Sequence, residues 1–260
     1  MPTLKGRTFS HDENELYFED RGEGEPLLLL HGLTGTSGDW RHVFDLDALA
    51  AQYRVIAPDA RGHGRSTDRS SSFSFQRCAR DVIALLDHLA LSRVRAIGMS
   101  LGAKTLLHVA TLDSARVSRM IVVSATPRFP EATRELFRAF AAAPHTDEEW
   151  AAMRAQHVHG DPQIAALWQL PAMFAADRDD MNFTPERLRE ITATTLIVAG
   201  DRDPLYPVEL AAELYRGIAG SSLWVVPGGA HGPIFGAERD DFVRRALPFL
   251  EGEAVGELSR

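Results

Sequence analysis

Short apolar runs alternate along the chain with longer stretches whose apolar positions recur every three to four residues. The short runs are "PLLLLHG" (26–32), "YRVIAPD" (53–59), "RVRAIGMS" (93–100), "SRMIVVSAT" (118–126), "TTLIVAGD" (194–201) and "SSLWVVPG" (221–228). Each is too short for a helix, is rich in Val, Ile and Leu, and ends at or beside Gly, Pro, Asp or a small polar residue. That is the pattern of strands buried on both faces of a parallel sheet. Residues 73–91 and 101–112 carry helical spacing, as do 207–218 and 233–250, each of which opens on a proline suited to a first helical turn. Ahead of them, "LKGRTF" and "ELYFED" flank the polar "SHDEN" and predict a hairpin over 4–19. Strand and helix in alternation predict an α/β chain with a mostly parallel, doubly wound sheet and an N-terminal antiparallel hairpin.

One interval breaks the alternation. Between Pro127 and Thr192 there is no strand-like run, only helical segments with identifiable starts. Thr146 and Glu149 form a capping box, and Asp161-Pro162 and Thr184-Pro185 pair a capping residue with a following proline. At about 65 residues this interval is too long for a plain connection. It predicts a helical cap or lid over 127–192, inserted into a core made of 1–126 and 193–260. The stretch after Leu250 is expected to fray.

Composition narrows the function classes. The 260 residues suit one large domain, and 36 Asp+Glu against 28 Lys+Arg give a net charge of −8. That balance argues against nucleic-acid or anionic-membrane partners, which require a basic face. The Arg187 and Arg189 pair reads as a solvated helix face. Cys78 is the only cysteine, so neither an internal disulfide nor a cysteine-built zinc site is available. The N-terminus lacks a signal-peptide apolar core and no run is long enough to span a bilayer, so a cytoplasmic location is expected. The sequence carries no sign of oligomeric state.

Candidate chemistry gathers at the carboxyl ends of the expected strands, where open α/β sheets place their reactive groups. "GMSLG" sets Ser100 between two glycines, but at average residue usage such a pentapeptide arises by chance in about one chain of this length in ten. Its setting is more specific, because an apolar strand leads in and a helix leads out. Small flanking residues let the chain turn that sharply, and the hydroxyl is presented at the apex of the turn. A serine hydroxyl needs a base and an orienting acid. "GGAHGPIF" supplies His231 after the last strand, and "LIVAGDRDPLYP" supplies Asp201 and Asp203 after the preceding one. The order Ser, Asp, His is the one that belongs to such a sheet.

With these residues the chain resembles the α/β-hydrolase superfamily from about residue 10 to 250, in its lid-bearing branch of esterases, lactonases, haloperoxidase-like enzymes and C–C bond hydrolases. "HGLTGTSGDW", "PDARGHGRS" and "GDRDPLYP" carry the likeness further. The resemblance implies an α/β-hydrolase fold with a helical lid. Its G-x-x-D-x-x-x-P pattern falls on Gly200, Asp203 and Pro207, which makes Asp203 the acid. It also implies an oxyanion hole formed by the backbone N–H groups of Leu33 and Leu101, with His31 packing behind the loop. Relatives that use an Asp nucleophile, the haloalkane dehalogenases and epoxide hydrolases, are excluded by Ser100. Ala103 stands where many members have Gly, and Lys104 and His108 lie on a helix that is usually apolar. These two are expected on a solvated or lid-facing stripe, with a substrate contact as the alternative.

Other polar residues have plainer readings. His157 and His159 are expected on a helix surface rather than at a metal, and Arg61, His63, Asp81 and Asp87 as structural groups. "DRDD" (177–180) is expected as a solvated run. Trp150, Met153, Trp168, Met173 and Phe174 are candidates for an acyl pocket, about half of them for the seam between lid and core. The expected activity is hydrolysis of a small, largely apolar carboxylic ester or lactone, with no cofactor or metal and a small molecule as partner. C–C bond hydrolysis, perhydrolysis or lyase chemistry on the same residues, or a slow-turnover small-molecule receptor, are the alternatives.

Overall fold

The computed structural model describes residues 6–70 and 73–253. Leu4 and Lys5 of the expected hairpin, and residues 254–260 of the expected frayed tail, lie outside the described residues. Among the described residues eight strands form one sheet: β1 (Gly6–His11), β2 (Asn14–Arg21), β3 (Glu25–Leu30), β4 (Tyr53–Pro58), β5 (Val94–Met99), β6 (Val117–Val123), β7 (Thr194–Gly200) and β8 (Ser221–Val226). Their spatial order is β1-β2-β4-β3-β5-β6-β7-β8. β1 pairs antiparallel with β2, β2 pairs antiparallel with β4, and every other pairing is parallel.

The hairpin turn is tighter than the polar stretch "SHDEN" suggests. His11 pairs with Asn14, which leaves Asp12 and Glu13 as a two-residue loop, both at positive φ (49° and 63°). Such a loop matches the right-handed twist of the flanking strands.

Alternate residues of the central strands serve two cores. Leu28 and Leu30 of β3 pack with one apolar cluster, whereas Leu27 and Leu29 pack with the other. All four are at most 5% exposed, which is why these strands read as unbroken apolar runs. Helices α2 (Phe75–His88), α3 (Leu101–Leu112) and α8 (Val208–Gly217) cover one face. Helices α1 (Leu46–Ala50) and α9 (Arg239–Glu251) pack with the other cluster. Pro207 directly precedes α8, while α9 starts six residues after Pro233, beyond a short 3-10 turn. The loop that carries Pro233 is thus left free to hold His231.

Four helices lie between β6 and β7: α4 (Glu131–Ala142), α5 (Asp147–Gln156), α6 (Asp161–Ala176) and α7 (Pro185–Arg189). The Thr146–Glu149 capping box is present, and Thr184 caps α7 by accepting from the Arg187 N–H. At α6 the capping position belongs to Gly160, at φ 81°, and Asp161 is already helical. These helices are continuous with the first core through Phe129, Phe137, Leu167 and Phe174. Asp180 departs from the expected solvated run. Its carboxylate accepts from the Phe75 and Gln76 N–H groups and satisfies two of the orphan donors at the start of α2. Among the described residues no helix is long and apolar enough to cross a membrane.

Candidate active site

Four strand-to-loop exits converge on one site. β5 leads straight into α3, and the joining residue, Ser100, has φ 49° and ψ −102°. Few residues other than glycine adopt such a conformation, and strain of this kind persists only where the surroundings enforce it. They do so here. The Ser100 N–H is held by the Val123 carbonyl at 2.8 Å, and the Gly102 N–H by the His31 carbonyl at 3.0 Å. A Cβ on Gly98 would lie 2.5 Å from the Gly102 oxygen, and one on Gly102 would lie 2.2 Å from the Leu30 oxygen. Both glycines are therefore required by backbone contact. Ala103 is completely buried, as close helix–sheet packing demands.

His231 occupies the loop after β8, with its Nε2 2.9 Å from Ser100 Oγ and its Nδ1 2.8 Å from Asp203 Oδ2. A carboxylate only accepts, so Nδ1 carries the proton and Nε2 accepts from the serine hydroxyl. The Asp203 side chain is 1% exposed, and its other oxygen accepts from the Leu205 and Tyr206 N–H groups at 2.8 and 3.1 Å. The Tyr206 ring meets the His231 ring edge to face, with centroids 5.3 Å apart. Asp201 points elsewhere: its Oδ1 accepts from the Gly228 N–H at 2.6 Å and pins the loop after β8. Of the two acids left open by the sequence, Asp203 is the one that reaches the histidine.

The loop after β3 faces the same point. His31 accepts from the Ala60 N–H at Nε2 (2.9 Å) and donates from Nδ1 to the Gly32 carbonyl (2.7 Å), so the ring braces two loops from behind. Leu33 and Leu101 both line the cavity that holds Ser100 and His231. Among the hydrogen bonds of the described residues, neither the Leu33 nor the Leu101 N–H has a backbone acceptor. Two donors are thus available beside Ser100.

The cavity has a volume of about 390 Å³ and is lined mainly by apolar side chains. Of the five pocket candidates, Met153, Trp168 and Phe174 line it and Trp150 and Met173 do not. Trp150 packs edge-on against Trp168, with centroids 4.5 Å apart, and Met173 packs against the core. Phe137, Phe140 and Leu167 also line the cavity and are not legible as pocket residues in the sequence, because helical spacing does not say which neighbour a face meets.

Three polar residues are more buried than a solvated reading allows. Lys104 and His108 are 2% and 0% exposed because α3 is buried on every side, and they meet the 127–192 interval at Phe129 and Phe183 instead of solvent. Lys104 lines the cavity, where loss of hydration pushes its ammonium down to about 7. His108 sits against Phe183 and is pushed down to about 3, first by burial and then by the Arg187 charge. His157 is 1% exposed and not on a surface. It accepts from the Gly64 N–H at Nδ1 and donates to the Thr34 carbonyl from Nε2, tying the segment between β6 and β7 to two loops of the sheet. Both of its nitrogens serve the backbone. Arg61 is 1% exposed and bound by both oxygens of Asp81 at 2.7 and 2.8 Å, a structural pair as expected.

The family model described as the alpha/beta hydrolase family matches residues 27–246. The chain belongs to this family. Among curated relatives of this α/β hydrolase, a non-heme haloperoxidase of Rhodococcus erythropolis is 28% identical over 250 residues, covering 85% of this chain and 90% of that one. A 2-hydroxy-6-oxononadienedioate/2-hydroxy-6-oxononatrienedioate hydrolase of Pseudomonas putida is 29% identical over 272 residues, covering 91% and 92%. Among solved structures, a meta-cleavage product hydrolase of Pseudomonas fluorescens superposes with a TM-score of 0.72 at 22% identity, covering 95% of this chain and 97% of that one. That last likeness concerns the fold.

Proposed function

We propose that this α/β hydrolase is a serine hydrolase that cleaves a small, largely apolar carboxylic ester or lactone through an acyl-enzyme on Ser100. The supporting observation is the unbroken chain Asp203–His231–Ser100, at 2.8 and 2.9 Å, opening into the same cavity as the Leu33 and Leu101 amides. In this reading His231 Nε2 takes the hydroxyl proton as Ser100 Oγ attacks the carbonyl. The two amides hold the oxygen as it becomes negative, each contributing on the order of 3 kcal/mol to the transition state. His231 then protonates the leaving alkoxide. A water deprotonated by the same nitrogen attacks the acyl-enzyme, and the proton returns to Oγ as the acid departs. Asp203 keeps the proton on Nδ1 and stabilises the imidazolium. The helices between β6 and β7 act as the lid that gives the cavity its apolar roof, with Met153, Trp168 and Phe174 against the acyl chain.

The likeness to a C–C bond hydrolase favours one second reading, in which the same groups cleave a carbon–carbon bond beside a ketone. A fluorophosphonate probe tests the nucleophile: wild type becomes labelled at Ser100, and Ser100→Ala does not. Labelling of the variant at the wild-type rate would overturn the assignment. Turnover of 4-nitrophenyl esters, lactones and β-diketones, each with Ser100→Ala as control, separates the two readings.

A further inference from the structure

Lys104 is a buried amine with no ion-pair partner in contact, and the nearest attractive charge acting on it is that of Asp203. Its side chain is 2% exposed, and among the described residues no carboxylate lies within 4 Å of its amine. One N–H donates to the Tyr206 hydroxyl at 2.9 Å. The remaining surroundings are aromatic faces, with Nζ 5.4 Å from the Phe75 centroid, 5.8 Å from Phe129 and 4.9 Å from Tyr206. Such faces attract a cation but accept little from its N–H groups, and an ammonium has three to give. A buried charge is ordinarily paired, and an unpaired one is a costly feature to retain.

The position of this amine gives it a use. Lys104 lies one helical turn beyond Ser100, on the same face of α3, and helical side chains lean back toward the N-terminus. It therefore lines the cavity that Ser100 opens into. The other ionisable groups lining that cavity, His145, Glu149 and His231, have contacts within the protein. Glu149 accepts from the Thr146 N–H, His145 stacks on Trp168, and His231 is held by Asp203. Asp203 itself gives both oxygens to His231 and two backbone N–H groups.

We propose that Lys104, with the Tyr206 hydroxyl beside it, is a specificity-determining residue that binds a carboxylate at the far end of the substrate's acyl chain. The bound anion supplies further acceptors and a counter-charge in direct contact, while the apolar lining holds the methylenes between it and the scissile carbonyl. Burial pushes the affinity of the unoccupied amine for its proton down to about 7 against the opposing pull of Asp203, so a closer anion would raise it. This rests on the reading of Ser100 as nucleophile, and narrows its substrate class to half-esters or lactones of dicarboxylic acids.

The test compares mono-4-nitrophenyl adipate with 4-nitrophenyl hexanoate, which has the same chain length but no terminal charge. Wild type prefers the adipate, and in Lys104→Met the ratio of the two kcat/KM values falls at least thirtyfold. A ratio that moves less than threefold, or a wild type that prefers hexanoate, overturns the proposal. Fluorophosphonate labelling of Ser100 in Lys104→Met checks that the variant is folded at the site. Binding separates this proposal from the catalytic one. By calorimetry hexanoate binds wild type at least tenfold more tightly than Lys104→Met, whereas hexanamide binds both alike, whether or not either ester is turned over. Equal binding of hexanoate to both proteins overturns the carboxylate site and leaves the nucleophile assignment standing.

Discussion

Replacing Asp203 by Asn changes one atom and, through the hydrogen bonds around it, reverses the histidine. Asp203 Oδ1 accepts from the Leu205 and Tyr206 N–H groups, at 2.8 and 3.1 Å, so in the Asp203→Asn variant the amide oxygen must stay there. The NH2 group then takes the place of Oδ2, 2.8 Å from His231 Nδ1. Facing a donor, Nδ1 becomes the acceptor and the ring proton moves to Nε2, which faces Ser100 and can no longer accept its proton. Flipping the amide instead would leave two buried N–H groups against an NH2, at about 1–3 kcal/mol for each unpaired donor. The expected loss in kcat is about 10⁴-fold, or roughly 5.5 kcal/mol of barrier, the size found when the orienting carboxylate of such a chain becomes an amide. Asp201→Asn keeps an oxygen for the Gly228 N–H and is expected to cost less than threefold. Initial rates of 4-nitrophenyl butyrate hydrolysis and the rate of fluorophosphonate labelling measure both. Asp203→Asn activity within tenfold of wild type, or an equal loss in Asp201→Asn, would refute the reasoning.

Two further outcomes concern stability. Asp81→Leu leaves the Arg61 guanidinium, 1% exposed, without its bidentate partner, and is expected to cost about 3–5 kcal/mol. At this chain length that corresponds to about 6–20 °C in Tm. The double variant Arg61→Met/Asp81→Leu should recover most of the loss in thermal or urea unfolding, and additive losses would deny the pair. His108, held neutral by burial with its folded-state value near 3, is protonated only in the unfolded chain between that value and the ordinary 6.5. The unfolded state then binds more protons, so this contribution is complete above about pH 6.5 and is lost as pH falls. Relative to wild type, His108→Phe should lose about 2 kcal/mol less between pH 7 and 5 in urea titrations, and parallel pH profiles would contradict this.

Much of the fold is legible in the sequence because buried parallel strands and amphipathic helices have distinct periods. The run "PLLLLHG" announces a strand covered on both faces, and Leu27–Leu30 divide between two cores as that reading requires. Ser100 is legible for a local reason: backbone contact at Gly98 and Gly102 forbids side chains, and that demand is written in the sequence. His231 can be placed because it follows the last strand.

What the sequence determined by itself is the order of elements, the elbow at Ser100, the late histidine and a pair of acids two residues apart. Strand order and spacing left both acids open and the resemblance favoured Asp203; tertiary structure supplied the physical reason, because a turn aims Asp203 at His231 and Asp201 at Gly228. Tertiary structure alone decided which faces of α5 and α6 meet the cavity, bringing in Met153, Trp168 and Phe174 and leaving out Trp150 and Met173. Lys104 and His108 depart from a solvated reading for the same cause. A polar residue in a helix is solvated unless a third layer covers it, and helical period records only the first layer.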